Sequence, residues 1–536
     1  MRAHLPVALA SLVALATPAA AQRDVGAFAD TVFARWNSTH SPGCAVGIAR
    51  DGKTVLARGY GMANLETGTP ITAGTIFESG SVAKQFTATA IVLLAMDGKL
   101  NLSDPVRKYF PELPEYDKPL TIRHLLTHTS GLREWSSLVA AAGWPRGQRA
   151  HTQDDLLDIV FRQKAINYPV GDHYSYTNSG YAIAKTLVER VSGKSFQEFS
   201  QERIFGPLGM THTRWRDDFT RIVPGRAQAY SREADGWHLD MPFESVVGPG
   251  GLLTTVGDWL VWNEALAKSS LRAGWTDSLT RRMRLNNGRE ITYALGIVVS
   301  EYRGVPEIGH SGSTGGYSTY LVRYPDRGNL SIGVLCNSAQ GAAGTYAHQL
   351  ADRLITDFPT QPALQGAAAD RASVAKLYGI YRNDRTRSTI EMDDAVAPRV
   401  RSLPDGSYLI AAQRWVFDVG SDGTPRRASA ISSDGDTVSY THVGRTRWTP
   451  SRQQLMAFEG EYRSDEVGAT YRIALEGDSL THRLRPGLKR SLRPTHTDAF
   501  TLGGAAIWFS RDRGGKVVAM HISEGRMWDL VIPRLR

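Results

Sequence analysis

Apolar runs of strand length occur near the beginning of the chain and again about 250 residues later. Residues 43–48 and 54–57 are two such runs that flank Asp51-Gly52, and this arrangement is a strong signal for a β-hairpin. Further strand-like runs lie at residues 293–299, 317–323 and 330–335. These five runs predict the strands of a sheet whose members come from both ends of the first 357 residues.

Helical patterns fill the space between these strands. The stretch from about Ser81 to Met96 is apolar nearly all round, which is typical of a helix buried in the middle of a domain, and Asp97-Gly98 predicts its end. The pattern from about residue 120 to 266 is mostly helical, and a last helix is expected at about 345–355. Strands at both ends with helices between them predict one sheet covered by helices, an α/β architecture.

The chain changes character after a segment at 358–372 that has the composition of a linker. Beyond it, short alternating runs and frequent turns predict β structure, and Tyr378–Arg382 recurs 81 residues later as Glu459–Arg463. We therefore expect two small all-β, barrel-like or sandwich-like domains. Their expected bounds are 373–450 and 451–536.

The first 21 residues have the three parts of an export signal. Arg2 supplies a positive charge, residues 5–16 form an apolar run, and Ala19-Ala20-Ala21 precedes Gln22, so cleavage is predicted after Ala21. The apolar run is too short to span a bilayer permanently, and we expect no membrane span elsewhere. The mature protein is expected to be periplasmic or secreted, with a first domain at 22–357.

Charge and cysteine content add two constraints. The net charge is +9, but the arginines are scattered and form no long basic run, so we expect a solvated surface and no nucleic-acid partner. Cys44 and Cys336 each lie in a run typical of a buried strand. Two small core thiols are therefore favoured, although export would make a cross-strand disulfide chemically possible.

Three short patterns supply residues for nucleophilic catalysis: Ser81-Val82-Ala83-Lys84, Tyr176-Thr177-Asn178 and His310-Ser311-Gly312. A serine hydroxyl is a poor nucleophile until a neighbouring base takes its proton. Lys84 lies one helical turn beyond Ser81 and shares its face, while burial and the helix N-terminus favour its neutral form. A neutral Lys84 can then act as the base, and the Tyr176 phenol can pass the proton to the leaving group.

The same patterns occur a second time, at Ser373-Val374-Ala375-Lys376, Tyr381-Arg382-Asn383 and His442-Val443-Gly444. Here Lys376 leads directly into a strand-like run, so Ser373 has no long buried helix behind it. Tyr381 follows Ser373 by only eight residues, which leaves no room for a helical domain to fold the phenol back. We therefore interpret the second set as a chance match.

Three longer segments resemble the serine beta-lactamase-related family, which includes class C beta-lactamases, D-alanyl-D-alanine carboxypeptidases, D-aminopeptidases and related esterases. The segments are residues 76–87, 125–132 and 174–181. The resemblance covers roughly residues 25–355 and implies a beta-lactamase/transpeptidase-like fold, an antiparallel sheet flanked by helices with a helical subdomain. The two C-terminal repeats resemble the paired eight-stranded barrels of D-aminopeptidases, which makes these the closest group in architecture.

The resemblance also implies roles for individual residues. Ser81 is the acylated nucleophile, with Lys84 as its base and Tyr176 as the proton relay. Asn178 is expected to bind the substrate amide. Gly312 and Ser313, on the strand that carries His310, are the other expected substrate-binding residues. The backbone N–H groups of Ser81 and Ser313 are expected to form the oxyanion hole.

His310 departs from the family pattern, because many members carry a lysine at this place on an edge strand. Histidine is only partly charged near neutral pH, so neither strong beta-lactamase activity nor a strict need for a substrate carboxylate is expected. We expect hydrolysis of an amide or ester through an acyl-enzyme on Ser81, with a D-amino-acid-containing peptide first and a small ester second. A non-catalytic protein that binds cell-wall peptides is the alternative from another class.

No cofactor or metal is expected. His124 and His128 are four residues apart, a spacing that can bind zinc, but the glutamate of a zinc-protease helix is missing and structural roles are favoured. The segment Gly248–Leu252 is rich in glycine but lacks the Lys-Ser/Thr of a phosphate loop. We expect it to be a turn that enters a helix and lines the cleft.

Overall fold

The computed structural model describes residues 18–360, 366–411, 413–432, 435–485 and 487–535. Most of the predicted export signal, and residues 361–365 of the predicted linker, lie outside the described residues. No helix in the described ranges is long and apolar enough to cross a membrane.

Residues 18–357 form an α/β domain. Its strands are β1 Cys44–Arg50, β2 Lys53–Tyr60, β3 Met62–Asn64, β4 Thr69–Pro70, β5 Phe77–Glu78, β6 Arg214–Trp215, β7 Tyr230–Glu233, β8 Gly236–Leu239, β9 Leu252–Thr254, β10 Val298–Tyr302, β11 Val305–Thr314, β12 Tyr317–Tyr324 and β13 Leu330–Cys336. Its α-helices are α1 Pro18–Val32, α2 Lys84–Met96, α3 Ile122–Leu126, α4 Trp135–Ala141, α5 Gln153–Phe161, α6 Ser179–Ser192, α7 Phe196–Ser200, α8 Gly206–Leu208, α9 Val256–Lys268, α10 Trp275–Thr280 and α11 Ala343–Leu354. Short 3₁₀ turns lie at Ala34–Trp36, Gly80–Ala83 and Val106–Lys108, and a π-helical turn at Gln201–Phe205.

The central sheet joins the two ends of this domain. Its six antiparallel strands lie in the order β10-β11-β12-β13-β1-β2, so β1 pairs with β13 from nearly 300 residues away. The predicted β1–β2 hairpin around Asp51-Gly52 is confirmed. The strand predicted at 293–299 is wrong in its first part, because β10 begins only at Val298.

Helices cover both faces of the sheet, as the sequence pattern predicts. Ala45 belongs to a core that includes α2 and α9, whereas Val46 faces the other way into a core with α1 and α11. This alternation follows from the two-residue period of a strand. Helix α2 is buried from its first residue to Leu94, which is why its sequence is apolar nearly all round.

Cys44 and Cys336 form a disulfide bond. The two cysteines are directly opposite each other in the register of β1 and β13, with their Cα atoms 4.0 Å apart. The preference for two separate thiols was therefore wrong. The burial of each strand could be predicted from its own sequence. That β1 and β13 are adjacent could not, because it depends on the order of the strands in the folded sheet.

Two sheet-rich units follow the α/β domain. The elements of the first are β14 Ala367–Ala368, α12 Arg371–Ala375, β15 Gly379–Asn383, β16 Thr389–Met392, a 3₁₀ turn Ala397–Arg399, β17 Arg401–Ser402, β18 Tyr408–Ile410, β19 Gln413–Val419, β20 Pro425–Ile431 and β21 Thr437–Gly444. Its eight strands form one sheet in the order β14-β17-β18-β19-β20-β21-β15-β16.

The elements of the second unit are α13 Arg452–Met456, β22 Gly460–Ser464, β23 Ala469–Glu476, β24 Ser479–Arg485, β25 Leu488–Ser491, β26 Arg493–Pro494, β27 Ala499–Leu502, β28 Ala505–Arg511, β29 Val517–Glu524 and β30 Met527–Pro533. They form sheets of four and five strands, β22 to β25 and β26 to β30.

The sequence repeat corresponds to a repeated local structure. Each copy has a short helix followed by a strand that carries a buried tyrosine, Tyr381 in β15 and Tyr462 in β22. Both phenols donate a hydrogen bond to the backbone oxygen four residues earlier, that of Leu377 at 2.7 Å and that of Phe458 at 2.8 Å. The repeated tyrosine therefore anchors the start of each unit.

Candidate active site

The turn that carries Ser81 is pressed against strand β11. Gly80 has φ +52°, and a Cβ atom on it would lie 2.5 Å from the backbone nitrogen of Ser313. A Cβ on Gly312 would lie 2.1 Å from the backbone oxygen of Ser79. Only glycine fits at either position, and the close approach places the backbone of Ser313 beside Ser81.

Ser81 itself lies in the 3₁₀ turn Gly80–Ala83, and helix α2 begins at Lys84. The prediction that both residues lie on one face of a regular helix is therefore wrong in this detail. Their contact is nevertheless formed, because side chains three residues apart also lie together in a 3₁₀ turn. Lys84 Nζ lies 3.1 Å from Ser81 Oγ. The candidate nucleophile and its candidate base are thus in direct contact.

Lys84 makes two further hydrogen bonds through its amine. Nζ donates to Asn178 Oδ1 at 2.8 Å and to the backbone oxygen of Pro249 at 2.7 Å. Both partners are carbonyl oxygens, which can only accept. A neutral amine has two protons and one lone pair, so these two bonds use both protons and direct the lone pair towards the Ser81 hydroxyl.

The surroundings of Lys84 favour this neutral form. The side chain is fully buried, and burial lowers its pKa well below the usual range. The carboxylate of Glu134 acts in the opposite direction, while the cations of Arg526 and Arg146 lower the pKa further. The net effect lowers the pKa of Lys84 and favours the neutral amine, the form that can accept a proton.

Tyr176 lies over this pair. Lys84 Nζ is 4.8 Å from the centroid of the Tyr176 ring. The phenol oxygen is buried and makes no hydrogen bond to any residue the structure describes. Burial raises its pKa, and the adjacent Ser81 side chain lowers it by a smaller amount. The phenol is therefore protonated and can give its proton to a leaving group.

His310 lies beside Tyr176 without reaching Ser81 through a hydrogen bond. Its Nδ1 is 2.5 Å from the backbone oxygen of Ser311 and its Nε2 is 2.9 Å from the Tyr293 hydroxyl, so Nδ1 carries the proton and Nε2 accepts one. Burial, and then the nearby Lys84, lower the pKa of His310 to about 3. The imidazole is therefore neutral at neutral pH, and the expected partial charge is corrected.

The edge-strand position predicted for His310 also needs a correction. Strand β10 pairs with β11 only from Val305 to Gly309. The sheet therefore has one strand beyond β11, but its edge is open from His310 onward. This open part of β11, which ends at Thr314, is the stretch that borders the site.

Asn178 is held by a buried carboxylate that the sequence analysis did not identify. Glu134 Oε1 accepts from Asn178 Nδ2 at 2.9 Å, and Glu134 Oε2 accepts from Thr177 Oγ1 at 3.0 Å. Burial raises the pKa of Glu134, but Arg526 and the hydrogen bonds from Asn178 outweigh that effect and lower it overall. Glu134 is therefore ionised and orients the amide that in turn contacts Lys84.

Arg526 reaches the site from the turn between β29 and β30 in the second C-terminal unit. Its Nη1 donates to the backbone oxygen of Tyr176 at 3.2 Å, and its Cζ is 5.3 Å from the centroid of the Tyr176 ring. Its Nη2 is 3.8 Å from Glu134 Oε1. The backbone N–H of Glu134 also donates to the backbone oxygen of Arg526 at 3.2 Å. The β29–β30 turn is therefore held against the first domain by both the side chain and the backbone of Arg526.

A small cavity of about 40 Å³ opens next to Ser81. Arg146 borders it, forms an ion pair with Glu244, and lies over Trp135 with its Cζ 5.5 Å from the ring centroid. The lining residues are Gly80, Ser81, Trp135, Arg146, Asn178, Glu244, Val246, Pro249, Gly250, Gly251, Ser313 and Thr314. The glycine-rich segment after residue 247 thus lines the cleft, as the sequence predicted.

The structure brings most of the sequence-derived candidates together. Ser81, Asn178 and Ser313 line the cavity, Lys84 contacts Ser81, and Gly312 packs against the turn. The second set of motifs has no such arrangement. The Ser373 hydroxyl donates to Asp370 at 2.9 Å, while Lys376 is exposed to solvent.

The two histidines with zinc-like spacing have separate partners. His124 Nδ1 is 2.8 Å from Thr121 Oγ1 at the start of α3. His128 Nδ1 accepts from the backbone N–H of Thr177 at 3.1 Å, and its ring lies 4.2 Å from that of Tyr176 between centroids. His128 therefore packs against Tyr176, whereas His124 caps a helix.

Sequence reasoning missed three charged residues of the site. Glu134 follows the segment 125–132 by two positions, so its closeness to a family motif was a usable signal. Arg146 and Arg526 lie in segments that carry no motif. Arg526 in particular depends on the docking of the last unit against the first domain.

Comparisons with known proteins agree with this architecture. Residues 28–356 match the Beta-lactamase family. The chain is 30% identical over 414 residues to penicillin-binding protein 4* of Bacillus subtilis (strain 168), covering 72% of this chain and 87% of that protein. It is 26% identical over 512 residues to a D-aminopeptidase of Brucella anthropi, covering 90% and 93%. The fold is similar to that of the octameric penicillin-binding protein homologue from Pyrococcus abyssi, with a TM-score of 0.56 at 21% identity over 95% of this chain and 99% of that one.

The chain therefore belongs to the beta-lactamase family. The family match spans more than half of the chain, and the relatives include penicillin-binding proteins and D-aminopeptidases. The family resemblance and the fold class inferred from the motifs are confirmed, and the protein is a serine hydrolase of this family.

Proposed function

We propose that this serine hydrolase of the beta-lactamase family cleaves an amide bond in a D-amino-acid-containing peptide through an acyl-enzyme on Ser81. The observation that carries the proposal is the state of Lys84. This amine is fully buried and lies 3.1 Å from Ser81 Oγ, with both of its protons engaged by carbonyl oxygens. Its lone pair is then free to take the proton of Ser81 as the hydroxyl attacks a carbonyl carbon.

The remaining roles follow from the same geometry. As Ser81 Oγ bonds to the carbonyl carbon, its proton passes to Lys84 Nζ. The Tyr176 phenol donates its proton to the leaving nitrogen and recovers one from Lys84, so that the amine leaves neutral and the acyl group stays on Ser81. The backbone N–H groups of Ser81 and Ser313 stabilise the negative oxygen. Water then attacks the acyl-enzyme by the reverse proton path.

The substrate class is supported by relatives and by the charge of the cleft. The D-aminopeptidase relative spans 90% of this chain, including the C-terminal units. Asn178 uses one of its two Nδ2 protons for Glu134, which leaves the other for a substrate carbonyl. The neutral His310 offers no fixed cation for a C-terminal carboxylate, and this favours an aminopeptidase or amidase over a carboxypeptidase.

The same neutral His310 also favours a second candidate, hydrolysis of a small uncharged ester. An ester needs no cation in the cleft, and its leaving alkoxide takes a proton from Tyr176 in the same way. The two candidates share the acyl-enzyme and differ only in the leaving group.

The first experiment labels the full chain with a fluorophosphonate and maps the adduct by mass spectrometry. We expect the adduct on Ser81 and none on Ser373, which has the same tripeptide after it. Ser81→Ala should abolish labelling, and Ser373→Ala is the matched control that should not. A folded protein without an adduct on Ser81 would contradict the proposal and favour a non-catalytic protein that binds cell-wall peptides.

The second experiment identifies the substrate class. D- and L-aminoacyl p-nitroanilides, short-chain p-nitrophenyl esters and a chromogenic cephalosporin are compared by kcat/KM. A preference for a D-aminoacyl anilide over its L-enantiomer supports the peptide substrate. A preference for esters without stereoselectivity supports the second candidate instead.

We also propose that the protein is exported to the periplasm or secreted. The three-part pattern of residues 1–21 supports export. The bond between Cys44 and Cys336 is a second support, because disulfides persist mainly in oxidising compartments. Expression in a Gram-negative host and sequencing of the mature N-terminus test this. A protein that stays in the cytoplasm with Met1 retained would overturn it.

A further inference from the structure

A second cavity lies between the two C-terminal units, and we call it the interunit cavity. Arg382 and Arg387 border it from the β15–β16 hairpin of the first unit, and His496, Asp498 and Trp508 border it from the second unit. Its volume is about 220 Å³. That is far more space than a single bound water needs.

The charge of this cavity is not balanced by its own carboxylates. Asp498 accepts hydrogen bonds from Nε and Nη2 of Arg511, at 2.8 Å each. Asp384 accepts from Arg427 at 3.0 Å and lies 3.9 Å from Arg382. Both carboxylates therefore bind an arginine outside the cavity, and Asp384 also forms a longer ion pair with Arg382. Neither of these two carboxylates pairs with Arg387.

The two arginines have unused hydrogen-bonding capacity. Arg382 Nε is buried and makes no hydrogen bond to a residue in the described ranges. Both cations act on His496, because burial, then Arg382 and Arg387, lower its pKa to about 4. The two guanidinium groups and the neutral imidazole therefore face the same space. A buried donor without a partner is costly, and a bound acceptor would remove that cost.

The wall contributed by the second unit is partly apolar and includes the side chain of Trp508. Trp508 is partly exposed beside Phe500 and Phe509, and its other neighbour is the stacked ring of His521, 5.0 Å away between centroids. An aromatic face next to two guanidinium groups fits a ligand that has both a compact anionic end and an apolar part.

We propose that the interunit cavity binds a small organic carboxylate, such as the C-terminal residue of a peptide, through Arg382 and Arg387. The planar forks of the two arginines match the two oxygens of a carboxylate. The apolar side group lies against Trp508. This site is separate from Ser81 and does not depend on the proposed hydrolysis.

Isothermal titration calorimetry on the full chain tests the proposal, with N-acetyl-phenylalanine, acetate and inorganic phosphate as separate probes. We expect saturable binding of N-acetyl-phenylalanine in the millimolar range and weaker binding of the other two. Arg387→Gln and Arg382→Gln should each weaken binding about tenfold, since each removes charge-assisted hydrogen bonds. Arg463→Gln, which changes an exposed arginine of the second unit outside the cavity, is the matched control.

Several outcomes would overturn the proposal. One is the absence of saturable binding, and another is equal affinity in Arg387→Gln and in the control. Tighter binding of phosphate than of N-acetyl-phenylalanine would show a plain oxyanion site instead. Arg387 is exposed, so its substitution is expected to leave folding intact, as near-UV circular dichroism can check. Hydrolysis of p-nitrophenyl acetate should be unchanged in Arg387→Gln.

Discussion

The charge of Arg526 is expected to help keep Lys84 neutral, although the two residues are more than 440 positions apart in the chain. Arg526 lowers the pKa of Lys84, acting together with the larger effect of burial. Arg526→Met keeps a long side chain and removes the cation, so the pKa of Lys84 should rise. Lys84 must be neutral to accept the proton of Ser81, and the acid side of the pH–rate profile should therefore move to higher pH.

The size of the effect follows from two distances. Lys84 Nζ lies 4.8 Å and Arg526 Cζ 5.3 Å from the centroid of the same tyrosine ring, so the two charges are no more than about 10 Å apart. Two unit charges at that distance interact by roughly 1–2 kcal/mol at an effective dielectric constant of about 20. Arg526 is 38% exposed, and solvent screening should reduce the effect to about 0.5–1 kcal/mol. This corresponds to a rate about two- to fivefold lower on the acid side.

The assay is the second-order rate constant for acylation of Ser81 by p-nitrophenyl acetate, measured across the pH range on the full chain. Arg526→Lys keeps a cation and should restore most of the wild-type profile. Arg463→Met removes an exposed arginine of the same unit and should change nothing. An unshifted profile in Arg526→Met, or no difference between the methionine and lysine variants, would refute the electrostatic role of Arg526.

Three further predictions follow. Lys84→Arg keeps a cation that cannot lose its proton, so kcat/KM should fall by about 10³-fold or more, and activity within tenfold of wild type would contradict the role of Lys84 as base. Replacing Cys44 and Cys336 together by serine should lower the free energy of unfolding by about 2–5 kcal/mol without loss of activity, and an unchanged urea midpoint would count against a stabilising disulfide. The free energy of unfolding should fall as the pH drops from about 6.5 towards 3, because the unfolded chain protonates its histidines while His310 stays neutral down to a pKa of about 3. His310→Gln should reduce this slope in urea unfolding at two pH values, and equal slopes would refute it.

Local sequence signals were sufficient for much of the central fold. The hairpin around Asp51-Gly52 and the end of α2 at Asp97 follow from turn and helix-end chemistry that involves only neighbouring residues. The strand at 293–299 was partly wrong because its apolar residues are buried without joining the sheet. Tyr293, for example, is buried beside Leu285 and Ile291 in a separate small cluster, so burial alone made the segment resemble a strand.

The residues of the candidate site also fall into those that local sequence predicts and those that only the folded structure brings together. Ser81 and Lys84 are three residues apart, so their contact could be inferred from spacing, and the family motifs supplied Tyr176 and Asn178. Arg526 could not be predicted in this way, since its position depends on how the last unit packs against the first domain. That docking involves buried polar contacts such as the one from Arg133 Nη2 to the backbone oxygen of Asp529, at 2.9 Å.

The two Ser-Val-Ala-Lys tetrapeptides of this chain show what separates a catalytic motif from a coincidence. Around Ser373, the hydroxyl donates to Asp370, the residue that caps the short helix, and the lysine of the motif, Lys376, is exposed to solvent. Around Ser81, the lysine begins a helix that is buried over three turns, and this burial disfavours an ammonium group. The four residues are the same in both places. The difference between the two lysines therefore comes from their burial, which the dozen residues that follow determine. That burial favours the neutral amine, and the hydrogen bonds to Asn178 and Pro249 would direct its lone pair towards Ser81.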